Sequence, residues 1–324
     1  MKILKIITLC TLLGLIACDA PRNNPLDPDS ATYSRQSEVL QIRRLSSPLT
    51  PLSGITVIAP ELGLSAVSDH AGEVVFSHGR VNNYTIYTSH EQFFPMQVLI
   101  NGGGMNAPIL LNARPMIMDR EIHSVYNNTN GSTEFFTGAT ISDPDGLTDI
   151  RAVTLTIPEY AYRDTFQIHD AVNGYFVSNQ NITAIDASMT SGTLPELPFI
   201  ITVYNQNGDS VTTDALHVTR VIDQDIFFTA PAPLSSLSGP IDFSWNAIQL
   251  DFPFTFELEL YAIEDNNFKL VHNYTAIHQD SVHFKVREDA VLQQLTAVNN
   301  FARISILDNS GNRCYSIPLF FTYE

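Results

Sequence analysis

Three aspartates in one short segment are the residues whose type and spacing come nearest to a metal site. Asp143, Asp145 and Asp149 lie in the sequence Ser-Asp-Pro-Asp-Gly-Leu-Thr-Asp, with Gly146 available for a turn. Oxygen ligands at alternate positions, followed by a glycine, are what a calcium-binding loop needs. However, an EF-hand-like loop needs a further oxygen ligand before its glycine, and there is no room for one because Gly146 directly follows Asp145. Pro144 also stiffens the loop. The sequence therefore favours a structural turn, with calcium as the weaker alternative, and it predicts no cofactor.

A second residue with chemistry of its own is Cys18, which ends the string Leu15-Ile-Ala-Cys18. Lys2 and Lys5 precede an apolar run over residues 6–16. That run is shorter than the about 20 residues that span a bilayer, and it fits a signal peptide. The string resembles the lipobox of bacterial lipoproteins, in which the cysteine thiol receives a diacylglycerol and a peptidase cuts before it. The alternatives are an ordinary secretory signal and a short uncleaved anchor.

The lipoprotein resemblance implies a signal peptide over residues 1–17 and a lipid on Cys18 that attaches the chain to a membrane. Residues 18–36 are polar and rich in proline, so we expect a flexible tether. Two or three acyl chains on one residue give stable anchoring. Asp19 follows the cysteine, a pattern that retains enterobacterial lipoproteins at the inner membrane. Because lipoproteins with several sandwich domains are often displayed on the outer membrane, we expect that membrane in preference.

Motifs for other chemistry are missing from the sequence. The nine histidines do not form a His-x-x-x-His pair, and neither a Gly-x-Ser-x-Gly elbow nor a phosphate-binding loop occurs. Glu257 and Glu259 share one strand face, which we interpret as exposed, because a glycosidase pair normally converges from different strands. We therefore predict that the protein is not an enzyme.

Aromatic residues are the remaining candidates for a binding surface. Trp245 and the doublets Phe135-Phe136, Phe227-Phe228 and Phe320-Phe321 could stack against sugars. Trp245 alternates in register with plain hydrophobic residues, however, and one tryptophan is few for a carbohydrate module. Core packing is the favoured interpretation for these side chains.

Composition excludes several classes of protein. Hydrophobic residues make up 44% of the chain and charged residues 16%, which indicates a folded protein. The formal net charge of −17 would be repelled by nucleic acid, so we expect no nucleic-acid partner. After cleavage and lipidation, Cys314 is the remaining thiol, and its place in an alternating strand predicts a small buried hydrophobe.

The elements that must position these residues are almost all strands. Runs of four to eight Val, Ile, Thr, Phe and Tyr residues alternate with polar ones between Gly, Pro, Asn and Asp. A helical spacing occurs only over about residues 287–298. Three strings share an Asp or Asn followed three residues later by Gly, which predicts three hairpin turns; they begin at Asp69, Asn205 and Asp308. The sequence thus predicts an all-β chain of three tandem β-sandwich domains, with linkers that decouple them.

The first predicted domain covers residues 37–113, with strands near residues 54–58, 72–76 and 84–87. The order G-x-x-V, D-x-x-G-x-x-x-F and Y-x-I resembles the transthyretin-like, carboxypeptidase-regulatory type of sandwich. That resemblance implies a stability or spacer module without an active site.

The second predicted domain covers residues 114–223. Its Asp143-Pro-Asp-Gly146 turn precedes a strand over residues 150–157, and residues 199–208 form a later strand and turn. This pattern resembles the immunoglobulin-like modules of bacterial surface proteins. The third domain covers residues 224–324 and resembles fibronectin type III-like modules, although Phe301 stands where those usually carry a tyrosine.

Together these patterns predict a lipid-anchored protein of the cell envelope with a non-enzymatic binding or scaffold role. Its expected partner is an envelope protein or a glycan. The alternative is a carbohydrate-binding or -processing accessory lipoprotein, which exposed aromatic residues would favour. A hydrolase with a site at a domain junction is the third hypothesis.

Overall fold

The computed structural model describes residues 36–79, 81, 83–102, 106–264, 267–295 and 299–324. The predicted signal peptide, Cys18 and the tether up to residue 35 lie outside these residues. Most of the described secondary structure is strand, so the prediction of an all-β fold is confirmed. Within the described part, no helix has both the length and the apolar composition needed to cross a bilayer.

The chain divides into two compact units between Arg114 and Pro115, one residue from a predicted domain boundary. Among its described residues the first unit has seven strands: β1 (Gln36–Arg44), β2 (Thr56–Ala59), β3 (Leu64–Val67), β4 (Glu73–His78), β5 (Asn83–Ser89), β6 (Gln97–Asn101) and β7 (Ile109–Leu111). They form two sheets with the orders β4-β1-β7 and β3-β2-β5-β6. Alternate residues of β4 and β5, such as Phe76 and Ile86, point into the core between the sheets.

The first of the three predicted turns joins β3 to β4. The Asp69 carboxylate accepts hydrogen bonds from the backbone N–H groups of Ala71 (2.9 Å) and Glu73 (2.8 Å). Gly72 has φ +72°, and a Cβ atom there would lie 2.5 Å from the carbonyl oxygen of Ile42. Glycine is therefore required both for its positive φ and for the close approach of β1.

The second unit contains the remaining strands and one α-helix of the described residues. Its strands and its helix are β8 (Met116–Asn127), β9 (Ser132–Ser142), β10 (Ile150–Ile157), β11 (Tyr162–Thr165), β12 (Gln167–Asp170), β13 (Tyr175–Asn181), β14 (Ile200–Asn205), β15 (Ser210–Thr212), β16 (Phe228–Ala230), β17 (Ser236–Leu237), β18 (Ile241–Trp245), β19 (Phe254–Glu264), β20 (Asn267–His278), β21 (His283–Val286), α1 (Asp289–Leu292), β22 (Asn300–Asp308), β23 (Arg313–Tyr315) and β24 (Leu319–Tyr323). Helix α1 lies inside the segment with helical spacing, of which residues 296–298 are outside the description.

One long sheet runs through this whole unit. Its strand order is β12-β13-β9-β8-β23-β22-β19-β20, with β24 attached to β22 and β17 to β24. The sheet β11-β10-β14-β15 covers one half of it, and the sheet β16-β18-β21 covers the other. Two separate cores result, and the chain passes from one to the other at Val221 and Ile222, next to the predicted boundary at residue 223.

The two sandwiches are joined where β8 pairs in parallel with β23. The partners are Val125 with Arg313, Tyr126 with Cys314, and Asn127 with Tyr315. The expectation that linkers decouple these two sandwiches is therefore wrong. Local hydrophobic patterns define each strand, but they do not say that strands from different sandwiches pair with each other.

The buried side chain of Asn312 stabilises this junction through hydrogen bonds. Its Oδ1 accepts a hydrogen bond from the backbone N–H of Ser124 at 2.9 Å. Its Nδ2 donates to Thr219 Oγ1 at 2.6 Å and to Asp308 Oδ2 at 3.0 Å. One amide thus ties the third predicted turn to two segments of the neighbouring sandwich.

Trp245 and Cys314 are both core residues, as predicted from their register. Trp245 is 2% exposed and meets the Phe256 ring edge-on, with 5.3 Å between the centroids. Cys314 is fully buried, and its thiol donates to the carbonyl oxygen of Gln224 at 3.2 Å. Burial raises the pKa of this thiol to about 11, so it is uncharged at neutral pH.

Candidate functional site

The three aspartates predicted as a turn or a calcium loop do come together in space. Gly146, with φ +96°, closes a turn by donating its N–H to the Asp143 carbonyl, and Leu147–Asp149 form a 3-10 helix. One carboxylate oxygen from each of Asp143, Asp145 and Asp149 lies within 4.8 Å of the others. The Asp143 Oδ1 atom also accepts the backbone N–H of Asp145 at 2.7 Å. The segment is therefore a turn that concentrates negative charge.

This crowding changes the acidity of Asp143. Partial burial, helped by repulsion from Asp145 and Asp149, raises the pKa of its carboxyl to about 6. An ordinary aspartate in an unfolded chain has a pKa of about 3.9. The folded protein therefore retains a proton on Asp143 over a pH range in which the unfolded chain has lost it.

The stability of the second unit should depend on pH through this residue. Asp143 favours folding at low pH, and that contribution is lost as the pH rises from about 4 to about 6. Asp143→Asn keeps the side-chain acceptor but removes the charge, so the variant should melt at a higher temperature than the wild type at about pH 7.5 and at the same temperature near pH 4. Thermal melts of both proteins across this range measure the difference. Asp242→Asn, on an exposed aspartate of β18, is the matched control, and equal stabilisation by Asp143→Asn at both pH values would contradict the assignment.

Calcium is expected to have little effect on this loop. Three carboxylate oxygens are fewer than the six to eight oxygen ligands that calcium takes. Millimolar calcium should therefore shift the melting temperature by no more than about 2 °C. A site of useful affinity would add about 2.7 kcal/mol at a hundredfold excess over its dissociation constant. A shift of several degrees that disappears in Asp145→Ala would show that the loop does bind the ion.

Glu257 and Glu259 do not form the exposed face predicted for them. They are 6% and 7% exposed, because Arg303 of β22 and Arg313 of β23 lie over them. Arg313 Nη1 is 2.6 Å from a carboxylate oxygen of Glu257, and Arg303 Nη2 is 2.7 Å from one of Glu259. The two ion pairs neutralise this part of the sheet, and the glutamates are not arranged across a cleft as a glycosidase pair would be.

The phenylalanine doublets are only half in the core. In the two doublets that lie within strands, alternation sends one member inward and the other outward. Phe135 and Phe321 are buried in the two cores, whereas Phe136 and Phe320 lie on the opposite side of the long sheet. The prediction of core packing therefore holds for one residue of each of these pairs and is wrong for the other. In the third doublet, Phe227 precedes β16 and is exposed, whereas Phe228 packs partly buried against the core of the third sandwich.

The side of the long sheet that faces away from both cores, which we call the outer sheet face, carries a row of aromatic rings. Tyr261 stacks in parallel on Phe301, with 4.5 Å between the centroids and 8° between the planes. Phe268 and Phe320 flank Phe301, at 5.3 and 5.7 Å. The Arg303 guanidinium lies 3.7 Å from the centre of the Tyr315 ring.

Two adjacent cavities open on the outer sheet face. One, of about 260 Å³, lies over the β8–β23 junction and is lined by residues that include His123, Asn179 and Tyr315. The other, of about 310 Å³, lies over the third sandwich beside the aromatic row. Both are lined by Asn127 and Arg303, so the two cavities adjoin, and we call them together the groove.

Sequence reasoning missed this groove, although part of the signal is present. In β22 the residues Ala302, Ile304 and Ile306 point into the core, which leaves Phe301 and Arg303 on the outer face. Two large side chains at outward positions of an otherwise apolar strand could have suggested a surface with a role. The sequence could not have shown that Asn127 lies beside these side chains, because its position depends on the pairing of β8 with β23.

Three buried polar side chains form a cluster in the described part of the first unit. The Glu38 carboxylate accepts a hydrogen bond from the Tyr84 hydroxyl at 2.8 Å and lies 3.3 Å from His78 Nε2. All three residues are buried, and the cluster links β1, β4 and β5. It satisfies polar groups inside the sandwich.

Comparisons with known proteins do not place the chain in a family. No protein-family profile and no curated protein matches the sequence. Among solved structures it is similar to fibronectin(III)-like modules of Clostridium thermocellum CbhA, with a TM-score of 0.28, 9% identity, and coverage of 64% of this chain and 92% of that one. It is also similar to a Ca²⁺-stabilised adhesin of an Antarctic bacterium (TM-score 0.23, 14% identity, 86% and 66% coverage).

A third structure is dimeric latent PorU from Porphyromonas gingivalis, with a TM-score of 0.25 and 13% identity. The match covers 89% of this chain but only 30% of that one. These TM-scores and identities are too low to assign a family or a function.

Proposed function

We propose that this protein is a lipid-anchored component of a bacterial cell envelope that binds a partner and does no catalysis. The anchor is inferred from the string Leu15-Ile-Ala-Cys18 at the end of a short apolar run. The binding role is supported by one observation above all, the groove on the outer sheet face. A concave surface lined by aromatic, amide and arginine side chains is the usual form of a ligand site.

The long sheet suits a scaffold as well as a binding site. Because β8 and β23 pair directly, side chains from two sandwiches hold fixed positions along one surface. Such preorganisation reduces the entropy lost on binding. The lipid on Cys18 would place this surface at the membrane, and we propose the outer membrane in preference to the inner one.

The anchor is tested by following the fate of Cys18. In the native bacterial host, we expect Cys18→Ala to remove the lipid and release the protein from the membrane fraction. Cys10→Ala is the matched control, because Cys10 is removed with the predicted signal peptide and its loss should change nothing. Mass spectrometry of the mature N-terminus measures the modification directly. An unmodified Cys18, or a chain that starts elsewhere, would disprove lipidation.

Carbohydrate binding is the second candidate function. It is favoured by the exposure of Phe268 and Phe320, which are 67% and 44% exposed at the edge of the larger cavity. Both rings contact Phe301, so they belong to one patch, and contiguous exposed apolar patches often mark interaction sites.

A further inference from the structure

We propose, building on the binding role stated above, that the groove on the outer sheet face binds a neutral oligosaccharide. Phe320, Phe268 and Tyr261 supply the stacking surface, and Asn127 supplies hydrogen bonds to hydroxyl groups at the centre of the groove. The outer sheet face combines exposed aromatic rings, amides and two adjoining cavities.

The aromatic row matches one surface of a sugar ring. A pyranose has C–H groups on its faces and hydroxyl groups around its rim, so it packs flat on an aromatic ring while its rim stays polar. Phe301 is almost fully covered by Tyr261, Phe268 and Phe320, and it belongs to neither core. It therefore supports the rings around it, and these present the accessible surface.

The polar side chains in the groove suit the hydroxyl groups around the rim of a sugar ring. Asn127 lines both cavities, Asn130 lines the larger one and Asn179 the smaller one. The Oδ1 atoms of Asn127 and Asn130 accept the backbone N–H groups of Thr129 and Ser132. The Nδ2 groups of these amides are therefore the ones that can donate to sugar hydroxyl oxygens. Apolar rings beside amides favour a ligand that is rich in hydroxyl groups over a purely apolar one.

Charge in the groove argues for a neutral ligand. The guanidinium groups of Arg303 and Arg313 are each held by a glutamate, so neither offers an unpaired positive charge to an anion. Burial lowers the pKa of His123, which leaves its ring uncharged at neutral pH. Glu134 adds a negative charge, and the formal net charge of the chain is −17, so an acidic polymer would be repelled.

The shape of the groove argues for several sugar units. The two cavities, of about 260 and 310 Å³, share Asn127 and Arg303 and extend across two sandwiches. A single ring would occupy one of them, whereas a chain would make contact along both. The strand pairing of β8 with β23 holds the halves of the groove in a fixed relation.

The inference is tested with the full-length mature protein in detergent. Cellohexaose, xylohexaose, mannohexaose and maltoheptaose serve as neutral probes, and hexagalacturonate serves as the acidic one, each titrated by calorimetry up to about 5 mM. We expect at least one neutral probe to bind and the acidic probe not to bind. Phe320→Ala and Asn127→Ala should each weaken binding at least about tenfold.

Phe227→Ala is the matched control, because Phe227 is 42% exposed but lies outside the groove. Its Kd should equal that of the wild type. Loss of binding in Phe227→Ala, unchanged binding in Phe320→Ala, preference for the acidic probe, or no binding of any neutral probe would each overturn the assignment. Capture of an envelope protein through Phe320 without sugar binding would also overturn it. Because the lipid on Cys18 is measured separately, failure here leaves the anchor standing.

Discussion

Trp245→Ala should lower the free energy of unfolding of the second unit by about 3–5 kcal/mol, the usual cost of truncating a buried aromatic side chain. The indole ring of Trp245 is 2% exposed and packs against Phe256 in the core of the third sandwich. A domain has a total stability of only about 5–15 kcal/mol, so much of the unit's stability should disappear. Because β8 and β23 belong to one sheet, we expect the loss to reach both sandwiches.

Hydrogen exchange followed by mass spectrometry can locate this effect. Peptides from β9 in the second sandwich should exchange faster in the variant, together with peptides from β19 in the third. Trp245→Phe is the control, because Trp245 Nε1 donates to no group among the described residues and the smaller ring still fills most of the space. Faster exchange in β19 alone would show that the sandwiches unfold independently.

Asn312→Ala is expected to cost about 2–3 kcal/mol, because the buried Ser124 N–H loses its acceptor and the buried Asp308 carboxylate loses one of its donors. The Thr219 hydroxyl also loses this amide, but Thr219 is exposed and its hydroxyl can bond to water. The Asp308 Oδ2 atom keeps Arg220 Nε at 3.6 Å. Each buried group without a partner costs about 1–3 kcal/mol. Since these groups belong to both sandwiches, the variant should also loosen the junction between them.

Chemical denaturation measures the total effect, and exchange at β8 and β23 measures the loosening. Asn309→Ala changes an exposed asparagine in the same turn, so it should alter stability by less than about 0.5 kcal/mol. If Asn312→Ala were as mild as this control, the buried amide would not hold the junction. If it destabilised the third sandwich without faster exchange at β8, the amide would act only within its own turn.

The junction between β8 and β23 also shapes the groove. Its two cavities adjoin because β23 lies between β8 and β22 in the long sheet. An Asn312→Ala protein that remains folded should therefore keep its aromatic row and yet bind a multi-unit ligand less tightly. Asn312 would then act by positioning Asn127 and the strand beneath it, without touching the ligand.

Local patterns in the sequence were enough for the strands, the turns and the core register. Alternation with a period of two predicted that Trp245 and Cys314 point inward, and a side chain in a strand has only two faces to choose between. The three turns were predictable for a similar reason: Gly72, Gly208 and Gly311 all have positive φ, which few residues other than glycine adopt.

The joining of two sandwiches, the burial of Glu257 and Glu259, and the groove were decided only by the tertiary structure. Each depends on residues far apart in the chain, such as Val125 and Arg313, and strand pairing over that distance leaves no periodic trace in either segment. The two glutamates were predicted to be exposed because the sequence of β19 does not show that Arg303 of β22 and Arg313 of β23 pair with them. Alternation tells which residues leave the core, but only the order of the strands decides what they meet outside it.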